Sequence, residues 1–447
     1  MIQEICMLLL VSIAVYFLAV NFIYALMMVF SWIKIKKFQL RSIETDKELP
    51  AVSFIIPAYN EASLIVETIQ TYLSLPQEKK EIIVIDDGSQ DQTIRLLQTM
   101  FQLRKCPDDE MLFQSITRPE LKILKAPHSG KAQALNFGIS HSSYDLICTM
   151  DADTIPDAKG VEACLSSFKR NKKLIAAGGV IQVLSAQVLK NNLPLVSRGK
   201  EWVNRFQRIE YLRTFVCERL GWSYLGSTLL ISGAFCMLKK DALKKIGGFS
   251  HRSITEDFDM IVRLRRAYPG RDHQFKILPV TTCYTQVPKT IPHLSRQRMR
   301  WQMGLVQTLL QNSGLFFRPS HGILGLVTIP YFWLVEAFSP VVVFMAYLLL
   351  PFALIQGWVS LDHAAIYLGL GLFFNLFITI VGIQLDIKYV SHQKNWTMAR
   401  GILDTLLIHF GYKQLNTWWR LNALLRSLSK NQKWGEKPRE EIIHQAL

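Results

Sequence analysis

Three stretches of the chain are almost free of charge, and a long segment of ordinary polarity lies between the first and the second. No charged residue falls between Glu4 and Lys34, and Met7 to Ile33 is long enough to cross a bilayer, which takes about 20 residues per helical span. A second uncharged run covers Ile323 to Gln356 apart from Glu336, and a third covers Ala364 to Gln384. Within the polar segment, roughly residues 50 to 292, apolar runs of four to six residues alternate with amphipathic stretches. Strands are predicted at Val52 to Ile56, Ile82 to Ile85, Leu121 to Leu124 and Leu146 to Met150. Helices are predicted from about Ala62 to Leu75, from about Asp91, and through Ala132 to Ile139. That rhythm belongs to an α/β domain whose mostly parallel sheet is covered on both faces.

Ligands of open α/β sheets bind beyond the carboxyl ends of the strands. Pro57-Ala58-Tyr59-Asn60-Glu61, Asp86-Asp87-Gly88-Ser89 and Asp151-Ala152-Asp153 all fall at such ends, so three polar groups distant in sequence are expected on one edge. Asp151 and Asp153 can serve a hard divalent cation, Mg²⁺ or Mn²⁺, shared with substrate phosphates. A turn is the plainer reading of a lone Asp-Ala-Asp; the preceding strand and the second acidic pair, Asp86 and Asp87, favour the metal. No GxxxxGK[ST] loop and no GxGxxG fingerprint is present, so a nucleotide has to be held otherwise than in P-loop NTPases or dinucleotide dehydrogenases. Tyr59 can stack on a base, Glu61, Asp86 or Asp87 can accept hydrogen bonds from base or ribose, and Lys131 opens a helix within reach of base or phosphate.

Downstream, Thr255-Glu256-Asp257 is expected in a loop before a helix at Phe258 to Arg266. A carboxylate there suits a general base for a sugar hydroxyl, and helix N-capping is its competitor. His293 to Gly314 places Leu294, Trp301, Leu305 and Leu309 near helical spacing with Arg296, Arg298 and Arg300 among them. A basic amphipathic helix before a membrane segment commonly lies among lipid head groups. That reading does not require Gln297, Arg300 and Trp301 in this arrangement, where a guanidinium can pair with a diphosphate and an indole can stack on a pyranose. A second amphipathic stretch, Trp202 to Phe215, fits a membrane surface or a buried helix equally well.

Over 447 residues the composition is 50% hydrophobic and the net charge is +16. Much of the excess Lys and Arg flanks the apolar runs, so anionic lipid and anionic nucleotide substrates account for it more simply than nucleic acid. Lys34, Lys36, Lys37 and Arg41 follow the first run directly, which makes it an uncleaved anchor with the globular domain in the cytoplasm. The Gly357 to His363 loop has no Lys or Arg, whereas Lys388, Lys394 and Arg400 follow the third run, predicting two further spans and a C-terminus back inside. Glu336 is expected to face protein or water. Gly401 to Tyr412 reads as a shallow helix. The seven cysteines lack paired spacing and read as reduced core residues. The expected division is an anchor and basic linker at 1–49, the α/β domain at 50–292, an interface helix at 293–320, a transmembrane region at 321–412 and a basic tail at 413–447.

As a set, Asp86-Asp87, Asp151-Ala152-Asp153, Thr255-Glu256-Asp257 and Gln297-x-x-Arg300-Trp301, flanked by membrane spans, resemble the processive family-2 glycosyltransferases, namely poly-N-acetylglucosamine, hyaluronan and cellulose synthases. The resemblance implies a GT-A fold, a UDP-sugar donor, a polysaccharide or glycolipid acceptor, a membrane location and an inverting reaction, and it leaves room for a small accessory membrane subunit. It implies that Tyr59, Glu61, Asp86 and Lys131 contact the uridine part, and that Asp153 with Asp151 serves the metal and diphosphate. Asp257, with Glu256 beside it, is then the base, Gln297 and Arg300 hold the diphosphate, and Ser232, Gly233 and Trp301 face the acceptor. Related enzymes often carry arginine where this chain has Gln182. A non-processive transferase that adds one sugar to a membrane lipid shares the donor motifs and stands as the alternative.

Overall fold

The computed structural model describes residues 1–40, 48–184, 201–270, 273–390 and 397–428. Arg41, Lys394 and the tail from 429 onward, which entered the topology expectation, lie outside the described residues.

Ten strands build one mixed sheet: β1 (Val52–Ala58), β2 (Lys80–Asp87), β3 (Leu103–Cys106), β4 (Asp109–Ser115), β5 (Leu121–Ala126), β6 (Leu146–Thr149), β7 (Thr154–Pro156), β8 (Leu174–Val183), β9 (Cys236–Lys239) and β10 (Gln274–Thr285). Their order is β3-β4-β5-β2-β1-β6-β9-β8-β10-β7. The four predicted strands form its parallel half, β5-β2-β1-β6. Ile82 to Ile85 are fully buried because helices cover both faces, and each such side chain is worth about 1.5–3 kcal/mol of burial. The helices Ile65–Leu73, Thr93–Phe101 and Lys131–Ser140 occupy the predicted segments.

Register determines which loops meet. Ala58 pairs with Asp86, so the chain after β1 and the chain after β2 leave the sheet side by side. Met150 N–H donates to Ile55 O, which carries Asp151 to the same edge. The strand β9 runs antiparallel to β6, pairing Cys236 with Thr149, so the residues just before it, Ser232 to Phe235, also arrive there. This antiparallel insertion is how a stretch far along the chain reaches the cleft.

The N-terminal helix Ile2–Leu40 exposes Leu8, Val11, Val15, Leu18 and Phe22, and docks its opposite side on the helical segment Arg213–Tyr224. A Cβ on Gly221 would lie 2.4 Å from Met27 O, so only glycine allows this approach. Among the described residues two helices, Ile2–Gln39 and Leu361–Val390, are long and apolar enough to cross a membrane, and the pair Leu324–Ala337 and Ser339–Ile355 also qualifies if its 42° bend lies within one span. The Trp202 to Phe215 stretch resolves as a buried helix, with Val203, Phe206, Ile209 and Leu212 packed inside. All seven cysteines are free, and six of them are buried.

Residues Ile291–Gln311 form one helix, along which Arg298, Gln302, Gln307 and Thr308 are buried, so protein packs on several of its sides. Part of that protein is the expected tail, because Tyr412–Leu428 is a helix packed against Ile291–Gln311.

Candidate active site

Lys131 stands at the centre of the cleft. Gly130, at φ 91°, turns the chain into its helix, and both carboxylate oxygens of Asp87 hold that turn, accepting from Ser129 N at 2.7 Å and Gly130 N at 2.9 Å. Asp87 is buried and occupied in this way, so it positions the loop in front of Lys131 and does not stand open to a ribose as expected. Lys131 Nζ bonds Asp151 Oδ1 at 2.5 Å and Glu256 Oε1 at 3.1 Å. Burial works against that ammonium, but Asp151, Glu256 and Asp257 outweigh it and raise its pKa. Its head is thus held by the carboxylates at the cavity wall.

Glu256 and Asp257 lie in the first turn of the helix Glu256–Ala267, not in a loop: the helix starts two residues earlier than the apolar pattern suggests, with Thr255 at its N-cap position. Asp257 Oδ2 accepts Gly233 N–H at 2.8 Å and Oδ1 accepts Phe258 N–H at 2.8 Å. Burial, and then the neighbouring Glu256, push the Asp257 carboxyl above its usual range. Burial pushes Glu256 up as well, but Lys131 and Arg300 outweigh it and hold Glu256 below that range. Two adjacent acids are thus driven apart, Asp257 upward and Glu256 downward from the usual carboxylate range.

A cavity of about 650 Å³ brings together Lys131, Asp151, Asp153, Ser232, Gly233, Glu256, Asp257, Gln297, Arg300 and Trp301. Tyr59, Glu61, Asp86 and Asp87 are outside its lining, at the neighbouring strand ends. Tyr59 packs on His128 with ring centroids 4.3 Å apart, and Asp86 Oδ1 accepts Ser89 N–H at 3.2 Å. Asn60, at φ 57°, joins these loops through Gln90 N–H, which its Oδ1 accepts at 2.8 Å. Glu61 remains close enough to the Asp-Ala-Asp pair to act on it. Burial, Asp151 and then Glu61 push Asp153 up to about 7, and burial followed by Asp151 lifts Glu61 to about 7. Acids that resist ionisation together mark a place short of positive charge, which suits a divalent cation. Among the described residues no group of three or more His, Cys, Asp or Glu converges as a ready metal cage. An ion held by Asp151 and Asp153 would therefore complete its shell with substrate oxygens or water, as Mg²⁺ commonly does.

The helix Ile291–Gln311 closes the cavity. Gln302 Nε2 donates to Ala337 O at 2.9 Å and Gln307 Oε1 accepts Ile254 N–H at 3.0 Å, tying the helix to the bent membrane pair and to the loop before Thr255. A Cβ on Gly304 would lie 2.3 Å from Thr255 Oγ1, so glycine alone permits the contact with the Glu256–Ala267 helix. Arg298 pairs with Glu210 at 2.5 Å and lays its guanidinium 4.5 Å from the Trp301 ring centroid, fixing the indole. Gln297 Oε1 is buried without a hydrogen-bond partner. Residue-type reasoning missed His128, Glu210, Arg298 as the Trp301 support, and Gly304. Only the i, i+3 spacing of Arg298 and Trp301 offered a signal. Gln182, where related enzymes often carry arginine, donates to Asp386 Oδ1 at 2.8 Å.

Residues 53–247 match the family described as Glycosyl transferase family 2. The chain is 31% identical over 266 residues to a poly-beta-1,6-N-acetyl-D-glucosamine synthase of Staphylococcus epidermidis, covering 60% of this chain and 57% of that protein. To the protein of the same description from Staphylococcus aureus (strain COL) it is 31% identical over 265 residues, 59% of this chain and 57% of the relative. The match thus spans under two thirds of these relatives' length. Among solved structures, the mannosyltransferase PcManGT from Pyrobaculum calidifontis, in complex with GDP-Man and Mn²⁺, superposes with a TM-score of 0.56 at 20% identity over 90% of this chain and 99% of that one. That likeness concerns the fold, which is of the GT-A type.

Proposed function

We propose that this chain is an inverting glycosyltransferase of a cell membrane, which it crosses more than once with its catalytic domain in the cytoplasm. It would move a sugar from a UDP-sugar, N-acetylglucosamine or a related one, onto a growing polysaccharide. The observation that carries this reading is the shared cavity: Asp257, the Gly233 loop and Trp301 line the same space as Asp151, Asp153 and Arg300. The printed activity of the staphylococcal relatives and the family-2 match support the reaction class.

In this reading Tyr59, Glu61 and Asp86 hold the uridine end, and Asp151 and Asp153 hold Mg²⁺ or Mn²⁺ with the diphosphate. The cation, when bound, neutralises charge on the departing diphosphate. Asp257 takes the proton from the acceptor hydroxyl, and that oxygen bonds to the anomeric carbon as the bond to the UDP oxygen breaks. Gln297 offers its side-chain amide and Arg300 its guanidinium to the leaving diphosphate, while Trp301 carries the acceptor sugar. Glu256 keeps Lys131 charged in place, and Lys131 orients Asp151. Alignment and charge stabilisation supply most of the acceleration.

The test is a screen of UDP-sugars with purified membranes, with and without Mn²⁺ or Mg²⁺, measuring UDP release and product length. Divalent-dependent UDP release with polymer formation supports the reading. UDP release that is independent of both sugar and metal would sink it.

A further inference from the structure

The same cavity is also lined by Arg213 and Lys413. Arg213 Nη1 donates to Asn375 Oδ1 at 2.6 Å, and Lys413 Nζ donates to the same oxygen at 3.0 Å and to His409 Nε2 at 2.8 Å. Asn375 belongs to the membrane-length helix Leu361–Leu385, and Lys413 to the first turn of Tyr412–Leu428. Two cations from different elements therefore converge on one neutral amide oxygen. Neither makes an ion pair among the described residues.

Glu210 favours the Lys413 ammonium, but burial and Arg213 outweigh it. Glu210 also lines the cavity, but its carboxylate receives Arg298 at 2.5 Å, Tyr412 OH at 2.9 Å and Asn416 Nδ2 at 3.4 Å. Like charges held together out of water are costly without a counter-charge. Burial and then Arg213 pull the Lys413 ammonium well below its usual range, and burial and then Lys413 pull His409 down to about 4. The N-terminal end of the Tyr412–Leu428 helix adds its own positive potential.

We propose that Arg213 and Lys413 form a binding site for a phosphate-bearing anion, separate from the carboxylate end of the cavity. Arg213 supplies a fork for two phosphate oxygens and Lys413 a point charge, the two ways in which cationic side chains hold phosphate. Asn375 Oδ1 is the acceptor the two cations share when the anion is absent. The position beside a membrane-length helix admits a lipid phosphate as readily as a free one.

The full chain in maltoside micelles is titrated with inorganic phosphate and, separately, with micelles doped with phosphatidylglycerol. Unfolding is followed by tryptophan fluorescence and bound lipid by native mass spectrometry. Expected is a rise in Tm with at least one probe: a rise with inorganic phosphate marks a free anion, and a rise with phosphatidylglycerol alone, with lipid retained, marks a head group. Arg213→Gln and Lys413→Gln should each weaken the response about tenfold, the loss of one charge-assisted bond. Without either probe, Lys413→Gln should melt above the parent, because it removes one of two like charges that share a single amide acceptor. No shift in the parent, equal shifts in parent and variants, or a lower melting point for Lys413→Gln without anion would each overturn the site. None of these readouts involves UDP-sugar turnover, so the result is independent of the proposed reaction.

Discussion

The Gly233 N–H donates to Asp257 Oδ2 across 2.8 Å, joining the acceptor-side loop before β9 to the first turn of a helix that begins more than twenty residues later. A Cβ on Gly233 would lie 3.3 Å from that same oxygen and 3.4 Å from Lys131 Nζ. The backbone of one loop thus aims the carboxylate proposed as base. Asp257→Asn keeps an acceptor for Gly233 but cannot take a proton. Sugar transfer should fall by about 10²–10⁴-fold, the range for loss of general base catalysis, while UDP binding by calorimetry stays close to the parent. In the parent, the acid limb of the rate profile should lie above the ordinary aspartate range, since burial and Glu256 raise this carboxyl. Full transfer activity in Asp257→Asn would remove it from the mechanism.

Lys131 connects Asp151 to Glu256, so it supports the proposed metal pair and the base turn at once. Replacing it with Gln removes one positive charge from beside Asp151. A divalent cation should then bind more tightly, because it no longer competes with the ammonium for that carboxylate, while turnover falls because Asp151 and Glu256 lose their common tether. A lower half-saturating Mn²⁺ concentration together with a lower kcat is the expected pair. Weaker Mn²⁺ binding in Lys131→Gln would mean that the ammonium helps to assemble the site and does not compete for it.

The cleft carboxyls also predict how stability responds to pH. Asp153 rises from 3.8 to about 7 and Glu61 from 4.5 to about 7, in both cases through burial first and neighbouring acids second. Between the unfolded and the folded values the native state keeps protons that the unfolded chain has lost. Without divalent cation the contribution is favourable there and is lost as pH rises through about 7, because the folded carboxyls must then ionise beside one another. Mn²⁺ should reverse the trend by favouring the ionised pair. Thermal unfolding at a series of pH values, with and without Mn²⁺, reads both slopes. Asp153→Asn should flatten the metal-free slope and abolish the Mn²⁺ effect.

The parallel half of the sheet was legible because strands buried on both faces read as unbroken apolar runs, as Ile82 to Ile85 does. The remaining strands were not. The β3–β4 hairpin is half exposed with charges along it, β7 has three residues, and β10 is interrupted by Pro279 with shifted register around it. In the site, carboxylates at strand ends could be placed from topology alone, since parallel strands deliver their carboxyl ends to one edge. What each side chain touches could not. Asp86 and Asp87 are neighbours of one type, yet alternation along β2 sends Asp87 under the Lys131 loop, while Asp86 accepts from its own turn at Ser89. The helix Tyr412–Leu428 escaped notice because polar side chains interrupt its buried apolar ones: Tyr412, Asn416 and Arg420 meet Glu210 and Gln302 through hydrogen bonds, beside buried Trp419, Ala423 and Leu424.

Gly304 tests whether the Gln-x-x-Arg-Trp helix acts through its seat on Thr255. An added Cβ would stand 2.3 Å from Thr255 Oγ1 and 2.4 Å from its Cγ2, distances that force one helix away from the other. Gly304→Ala should therefore cost about 1–3 kcal/mol of stability, as overpacking does, even though alanine is the better helix former. Because Arg300 and Trp301 lie one turn away on the displaced helix, transfer activity should fall further than the loss of folded protein explains. Thr255→Gly removes the obstructing side chain while leaving a residue tolerated at a helix N-cap, at a cost of a few tenths of a kcal/mol relative to threonine. The double variant should regain much of the lost activity and melt above Gly304→Ala alone, and a simple sum of the two single effects would show that the two helices do not meet through this pair.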